Sequence, residues 1–119
     1  MIRKSEDMKI TQLHDFKGGT GTLTLRHLLE AEELHGAGRM FAVGTLAPGA
    51  SIGKHQHEGD FETYYILSGT GTIDDNGTLR EVKPGDMGHC PDGESHALMN
   101  TGGEDLRFMA VIQYTPARK

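Results

Sequence analysis

The sequence has little of what stabilises secreted proteins, anchors membrane proteins or binds nucleic acids. It contains one cysteine among 119 residues, so no disulfide can form within the chain and a reducing, cytoplasmic location is expected. No stretch approaches the roughly 18 consecutive apolar residues that a membrane helix needs. Twelve Lys and Arg stand against seventeen Asp and Glu, a net charge of −5. That leaves no basic surface for a nucleic-acid backbone, so we do not expect nucleic acids as partners. We do not expect a membrane as a partner either, because no apolar run is long enough to cross one.

The composition has few aromatic residues and favours strands and turns over helices. Tryptophan is absent and aromatic residues make up only 6% of the chain, whereas glycine occurs 17 times. Because glycine suits sharp turns, this excess favours short strands joined by tight connections. The length fits one compact unit, and no repeat or linker divides it. We therefore expect a single domain over residues 1–119.

Short runs of strand-forming residues alternate with turn residues from residue 40 onward, about every 8–12 residues, as is typical of all-β proteins. The Asn76-Gly77 pair predicts a type I′ hairpin turn, because both residues tolerate positive φ. The predicted strands are Met40 to Leu46, Ser51 to His57, Glu62 to Leu67, Gly71 to Asp74, Leu79 to Val82, Met87 to Cys90, His96 to Asn100 and Leu106 to Gln113.

The extension over residues 1–39 has a mixed pattern. Residues 22–29 alternate polar and apolar at first, but Leu25, Leu28 and Leu29 also fit helical spacing. We expect a strand there, followed by no more than a short helical turn. The first dozen residues are polar, and we expect them to fray.

Three histidines and one glutamate have a spacing that suits metal binding on strands. His55 and His57 are two residues apart, so on an extended chain both imidazoles project from one face. A turn at Gly59-Asp60 can bring Glu62 back beside them on the next strand. His96 opens a later strand, and an antiparallel barrel would be needed to bring it to the other three. The remaining histidines, His14, His27 and His35, precede this pattern and are expected to be non-ligands.

These residues belong to two longer strings with fixed spacing, over residues 49–69 and 85–100. The anchors are Gly49, His55, His57, Glu62 and Gly69 in the first string, and Gly85, Pro91, Gly93, His96 and Asn100 in the second. The strings resemble the two signature motifs of the cupin family at all ten anchor positions. Fifteen residues separate Gly69 from Gly85, as in compact single-domain cupins.

The resemblance implies an all-β, double-stranded β-helix (jelly-roll) cupin barrel. It implies that the histidines and the glutamate of the motifs point into the barrel mouth as metal ligands, and that Asn100 is a structural anchor. It also implies a homodimer, packed through sheet faces or through an exchanged N-terminal strand. Residues 20–29 are the candidate for that exchange. The expected ligands are His55, His57, Glu62 and His96.

Three imidazoles and one carboxylate suit Mn, Fe, Co, Ni, Cu or Zn and suit Ca poorly. We expect one divalent transition metal, whose identity this donor set leaves open. On a five- or six-coordinate ion, up to two positions remain free for oxygen-donor ligands or dioxygen. A tetrahedral zinc held by all four residues would be nearly closed, and the metal would then only stabilise the barrel.

Two residues near the predicted ligands are candidate catalytic groups. Tyr64 shares a strand face with Glu62, and His89 lies on a strand expected to line the barrel. Ordinary core packing for Tyr64 and a partly exposed position for His89 are the alternatives. Cys90 is expected to be a small buried residue rather than a nucleophile. Four of the six methionines, Met40, Met87, Met99 and Met109, are expected to fill the core, although a methionine at the pocket wall would also make the pocket apolar.

Two functions of different classes fit this site. The first is a metalloenzyme that acts on a small oxygenated metabolite as a dioxygenase, decarboxylase, isomerase or lyase. The second is a non-catalytic protein that binds or senses a sugar or carboxylate through its metal. Fold does not separate them, because one scaffold supports many activities. In both cases the partner is a small molecule.

Overall fold

The computed structural model describes residues 1–116, which form two packed antiparallel sheets. The strands are β1 (Lys9–His14), β2 (Thr22–Leu29), β3 (Gly38–Leu46), β4 (Ser51–Gln56), β5 (Asp60–Ser68), β6 (Gly71–Asp75), β7 (Thr78–Val82), β8 (Met87–Cys90), β9 (Ser95–Met99) and β10 (Leu106–Tyr114). One sheet has six strands in the order β1-β2-β3-β10-β5-β8, and the other has four in the order β4-β9-β6-β7. This jelly-roll arrangement confirms the all-β prediction. Each predicted strand from residue 40 onward lies within two residues of an observed one.

The N-terminal extension is more ordered than its composition indicates. Residues 9–14 form β1, which pairs with β2 from Lys9 opposite His27 to His14 opposite Thr22. The expectation that the first dozen residues fray is wrong, because the strand hydrogen bonds are supplied by β2 and Leu13 packs against the core. Within residues 1–116, helical structure is confined to three single 3-10 turns over residues 5–7, 16–18 and 31–34. Only the turn at residues 31–34 was predicted.

The core lies between the two sheets. Along β5 and β10, alternate residues are buried, as expected for strands with one face inside. Met87 contradicts its predicted core position, because its side chain is 62% exposed on the outer face of the six-stranded sheet. The largest fully buried side chains are Tyr64, Phe108, Leu46, Ile66, Leu98, Leu106, His57 and Cys90.

The signature turns have the backbone that the motifs require. Their four glycines, Gly49, Gly69, Gly85 and Gly93, all have φ between 79° and 93°. Asn76 and Gly77 have φ values of 49° and 104°, which confirms the type I′ turn between β6 and β7.

Asn100 is a structural anchor, as expected. Its Nδ2 donates to the carbonyl oxygen of Leu46 at 2.8 Å and to that of Glu104 at 2.7 Å. Its Oδ1 accepts from the backbone N–H of Gly102 at 3.0 Å, so the amide fastens the end of β3 to the loop over residues 100–104. Separately, none of the described residues forms a helix with the length and apolarity to cross a membrane.

Candidate metal centre

The four predicted ligands converge between the two sheets. In the four-stranded sheet, His55 of β4 lies directly opposite His96 of β9. His57 follows the end of β4, where its backbone N–H still donates to Glu94 of the neighbouring segment at 3.0 Å. Glu62 projects inward from β5 of the other sheet. One sheet therefore supplies three imidazoles and the other supplies the carboxylate.

The donor atoms of these residues lie at the separations expected around a single cation. Oε1 of Glu62 is 3.0 Å from Nε2 of His96, 3.2 Å from Nε2 of His57 and 3.9 Å from Nε2 of His55. Nε2 of His96 is 3.0 and 3.1 Å from the Nε2 atoms of His57 and His55. Ligands about 2.1 Å from a metal and about 90° apart are separated by about 3 Å, whereas tetrahedral ligands are about 3.4 Å apart. Most of the separations lie between these two values, so the four residues could hold a single cation.

Hydrogen bonds on the far side of the rings fix which nitrogen can bind a metal. Nδ1 of His55 lies 2.8 Å from the carbonyl oxygen of Gly53, which can only accept a hydrogen bond. Nδ1 of His57 lies 2.6 Å from Oδ1 of Asp60. In the neutral rings both Nδ1 atoms then carry the proton, and both Nε2 lone pairs point to the cluster. One proton on His96 cannot satisfy two lone pairs and a carboxylate, whereas a cation satisfies all of them, so these residues fit a bound metal.

The charges of the cluster are interdependent. Burial opposes ionisation of Glu62, but the imidazoles of His57 and His96, within 3.2 Å of its Oε1, together with the more distant ring of His55, outweigh it and hold the pKa of this carboxyl well below its ordinary value. The hydrogen bond to Glu62, opposed by burial and aided by Asp60, raises the pKa of His57. Protons on the imidazole nitrogens therefore compete with a metal for the same donor atoms.

Asp60 connects the cluster to a cation. Burial opposes its ionisation, but hydrogen bonds with Arg39 and His57 outweigh this and lower the pKa of the carboxyl. Nε of Arg39 donates to Oδ2 of Asp60 at 2.8 Å, and the side chain of Asp60 is only 8% exposed. An ionised Asp60 thus orients the ring of His57 and is itself held by Arg39.

A cavity of about 250 Å³ opens beside the cluster, inside the barrel. His55, His57 and Glu62 form its polar end, and Lys17 and Arg39 are its cationic side chains. Apolar residues form most of its wall: Phe16, Leu23, Leu25, Met40, Ile52, Phe108, Ala110 and Ile112. Such a mixture of an apolar wall and few convergent polar groups is typical of small-molecule sites.

Tyr64 and His89, the two predicted catalytic candidates, occupy different faces of the six-stranded sheet. Tyr64 is 1% exposed and lines the cavity, and burial together with the charge of Glu62 raises its pKa well above the ordinary value. His89 pairs with Thr63 on the outer face, where Nδ1 lies 3.1 Å from the Thr63 hydroxyl. His89 also lines a cleft of about 520 Å³ beside the β6–β7 hairpin, and the candidate ligand His96 lines the same cleft. A catalytic role for either residue stays a prediction.

Cys90 is buried, as predicted, and burial raises the pKa of its thiol to about 11, which disfavours the thiolate. Sequence reasoning missed two residues of the site. Asp60 was assigned to a turn, yet it begins β5; its spacing of two residues from Glu62 was the signal for a shared inward face. No spacing in the sequence indicated that Arg39 belongs to the site.

Comparisons with known proteins agree with this geometry. A family model described as the cupin domain matches residues 42–112. An oxalate-binding protein of Thermotoga maritima is 44% identical over 112 residues, which cover 94% of this chain and 93% of that protein. The crystal structure of a predicted oxalate decarboxylase from Thermotoga maritima superposes with a TM-score of 0.92 at 43% identity, covering 97% of this chain and 100% of that one. The structure of a polyketide cyclase from Streptomyces resistomycificus superposes with a TM-score of 0.72 at 23% identity. The match covers 100% of this chain and 89% of the cyclase chain, and it shows a shared fold alone.

Proposed function

The chain belongs to the cupin family, and on this premise we propose that it binds a small dicarboxylate such as oxalate through one divalent transition-metal ion. The metal would be held by His55, His57, Glu62 and His96. The convergence of three Nε2 atoms and one carboxylate oxygen within 4.8 Å of one another carries the proposal. When bound, the metal would supply a Lewis-acid centre with open positions for ligand oxygens.

The choice of ligand is supported by the cavity and by the relatives. A carboxylate can occupy two adjacent coordination positions, and four protein ligands would leave up to two positions free on a five- or six-coordinate ion. Lys17 and Arg39 favour an anion in the cavity. The curated relative is named as an oxalate-binding protein, and the solved relative as a predicted oxalate decarboxylase.

Binding without turnover is favoured over catalysis by the groups that line the cavity. Among the described residues, no lining side chain outside the metal cluster carries a carboxyl or imidazole group. Tyr64 is the remaining hydroxyl, and its raised pKa makes it a weak acid near neutral pH. Decarboxylase activity is the second candidate, supported by the name of the solved relative. It is tested by measuring formate and carbon dioxide released from oxalate.

The central experiment measures oxalate binding with and without metal. Protein stripped with a chelator is reloaded separately with Mn, Fe(II), Co, Ni or Zn, and metal content and oxalate affinity are measured by elemental analysis and calorimetry. At a ligand concentration of 100 times Kd, oxalate should stabilise the loaded protein by about 2.7 kcal/mol and leave the stripped protein unchanged. Equal binding of oxalate to the stripped protein would contradict the proposal.

Matched histidine variants locate the site. His96→Ala should lose both metal and oxalate while keeping the circular dichroism of a β protein. It removes the imidazole whose Nε2 lies within 3.1 Å of the Nε2 atoms of both His55 and His57. His89→Ala, which alters an imidazole on the outer face, should keep both. If chelation lowers stability but no oxygen ligand binds any loaded form, the metal is structural instead.

We also propose a homodimer formed through the outer face of the six-stranded sheet. Tyr65, Leu67 and Met87 are 47%, 38% and 62% exposed there, and exposed apolar groups that cluster on one face are typical of interaction surfaces. β2 already pairs with β1 and β3 of its own chain, which makes exchange of that strand unnecessary. Light scattering should give the dimer mass, and Tyr65→Glu combined with Met87→Glu should give the monomer. A monomeric mass for the unmodified protein would exclude this dimer.

A further inference from the structure

Arg39 is the extra residue of a β-bulge at the cavity. Met40 pairs with Ile112 and Gly38 pairs with Gln113, so two steps along β3 oppose one step along β10. Regular alternation would turn Arg39 to the outer face, because its neighbour Met40 faces the core. Bulges next to binding sites re-aim a side chain in this way. Here Arg39 lines the cavity that the metal ligands line, and it also borders an outer cleft of about 190 Å³ beside Glu30 and Glu32.

A buried carboxylate holds the guanidinium in place and leaves part of it free. Nε of Arg39 donates to Oδ2 of Asp60 at 2.8 Å, while 44% of the Arg39 side chain stays exposed. Within residues 1–116, Nη1 and Nη2 of Arg39 have no hydrogen-bond acceptor on the protein. Two donors of a planar, permanently charged group are therefore presented in a fixed orientation, the arrangement that binds a carboxylate through paired hydrogen bonds.

Little else in the cavity competes for an anion. Lys17 is the other lining cation, and its Nζ lies 5.5 Å from the centre of the Phe16 ring, which already provides a partner. Most of the remaining wall is apolar, and a poorly hydrated wall strengthens an ion pair formed against it.

The position of Asp60 sets how long the ligand must be. Its two oxygens bind Nε of Arg39 and Nδ1 of His57, so it lies between the guanidinium and the imidazole ring. The metal-binding Nε2 of His57 is on the far side of that ring. A ligand that reaches both the metal cluster and Arg39 therefore needs a spacer between its two carboxylates, and the apolar wall suits a spacer made of methylene groups.

We propose that Arg39 is a specificity-determining residue that binds the distal carboxylate of a dicarboxylate with a short apolar spacer, whose other carboxylate is held at the metal centre. This assignment rests on the proposed metal-dependent carboxylate binding. It adds a preference for spaced diacids over monoacids of the same chain length.

Calorimetry on the manganese-loaded protein tests the assignment with diacids and matched monoacids: malonate against propionate, succinate against butyrate and glutarate against valerate. In the unmodified protein, at least one diacid should bind about 10- to 100-fold more tightly than its monoacid, the range expected for a charge-assisted hydrogen bond. At manganese concentrations that saturate both proteins, Arg39→Gln should remove this advantage, because the glutamine amide can still donate to Asp60 but cannot pair with a second carboxylate. Arg107→Gln removes the same charge from an exposed site on β10 and should keep the advantage.

Each other result overturns a defined part of the proposal. A diacid advantage that persists in Arg39→Gln, or that is absent from the unmodified protein, or that is lost only in Lys17→Gln, overturns the assignment and leaves metal-dependent carboxylate binding intact. If manganese-saturated Arg39→Gln binds the diacid and its monoacid more weakly by the same factor, Arg39 only positions Asp60 and the assignment is also overturned. If neither oxalate nor any other carboxylate binds the manganese form, the proposed function fails together with the assignment.

Discussion

The ring of Tyr64 lies parallel to the imidazole of His96, with centroids 4.9 Å apart and an angle of 6° between the planes. Tyr64 belongs to the six-stranded sheet and His96 to the four-stranded sheet, so this stack spans the barrel interior beside the metal cluster. The ring of Phe108 also contacts the ring of Tyr64, in an edge-on arrangement with the centroids 5.2 Å apart. The orientation of one metal ligand thus depends on aromatic packing as well as on its strand.

Two substitutions of Tyr64 should distinguish the role of its ring from the role of its hydroxyl. Tyr64→Phe should keep the stack and bind metal with nearly unchanged affinity, because only the hydroxyl is lost. Tyr64→Ala should cost about 3–5 kcal/mol of stability through the cavity it leaves, and should weaken metal binding through the loss of support for His96. Denaturant unfolding and metal titration measure both effects. Loss of metal from Tyr64→Phe would instead indicate a direct role for the hydroxyl.

Asp60→Asn should weaken metal binding about 10- to 100-fold, the usual effect of losing a carboxylate behind a ligating histidine. Without its anionic partner the pKa of His57 should fall, so the pH midpoint of metal uptake should move lower even though affinity at high pH decreases. A purely structural role for Asp60 would not shift that midpoint. Asp105→Asn, which removes an exposed charge, is the matched control and should leave metal affinity and midpoint unchanged.

The metal-free protein should be most stable in mildly acid solution. The raised pKa of His57 contributes stability that is full below about 6.5, its value in the unfolded chain, and is lost as pH rises through the folded value. The lowered pKa of Glu62 contributes stability that is full above about 4.5 and is lost as pH falls. Urea unfolding with chelator should therefore show a maximum between these limits. Metal affinity should rise with pH across the same range, because the metal displaces protons.

The strands could be predicted because they depend on local pattern, and the convergence of the four candidate ligands could be predicted because the ten anchors resemble the cupin motifs. Alternation fixes which residues share a face, and turn residues fix where β6 and β7 reverse. β1 escaped prediction because residues 9–14 are polar, and their order comes from pairing with β2 rather than from their own composition. Arg39 escaped for a related reason, since a bulge is defined by the register of two strands that are distant in sequence.

Gly44 shows another relationship that only the folded chain reveals. It lies directly opposite Phe108 in the β3–β10 pairing, and a Cβ atom added at Gly44 would lie 2.6 Å from Cε2 of the phenylalanine ring. The missing side chain thus makes room for the ring that packs against Tyr64 and lines the ligand cavity.

Gly44→Ala should therefore destabilise the protein by about 1–3 kcal/mol, the usual cost of overpacking a core, because Phe108 must leave its position. Gly103→Ala is the matched control, since a Cβ at that glycine meets no atom within 4 Å, and its unfolding free energy should stay near that of the unmodified protein. Combining Gly44→Ala with Phe108→Leu should cost less than the sum of the two single changes, because the smaller side chain removes the clash. Strict additivity in urea unfolding would show that Gly44 is required for its backbone rather than for the space it leaves to Phe108.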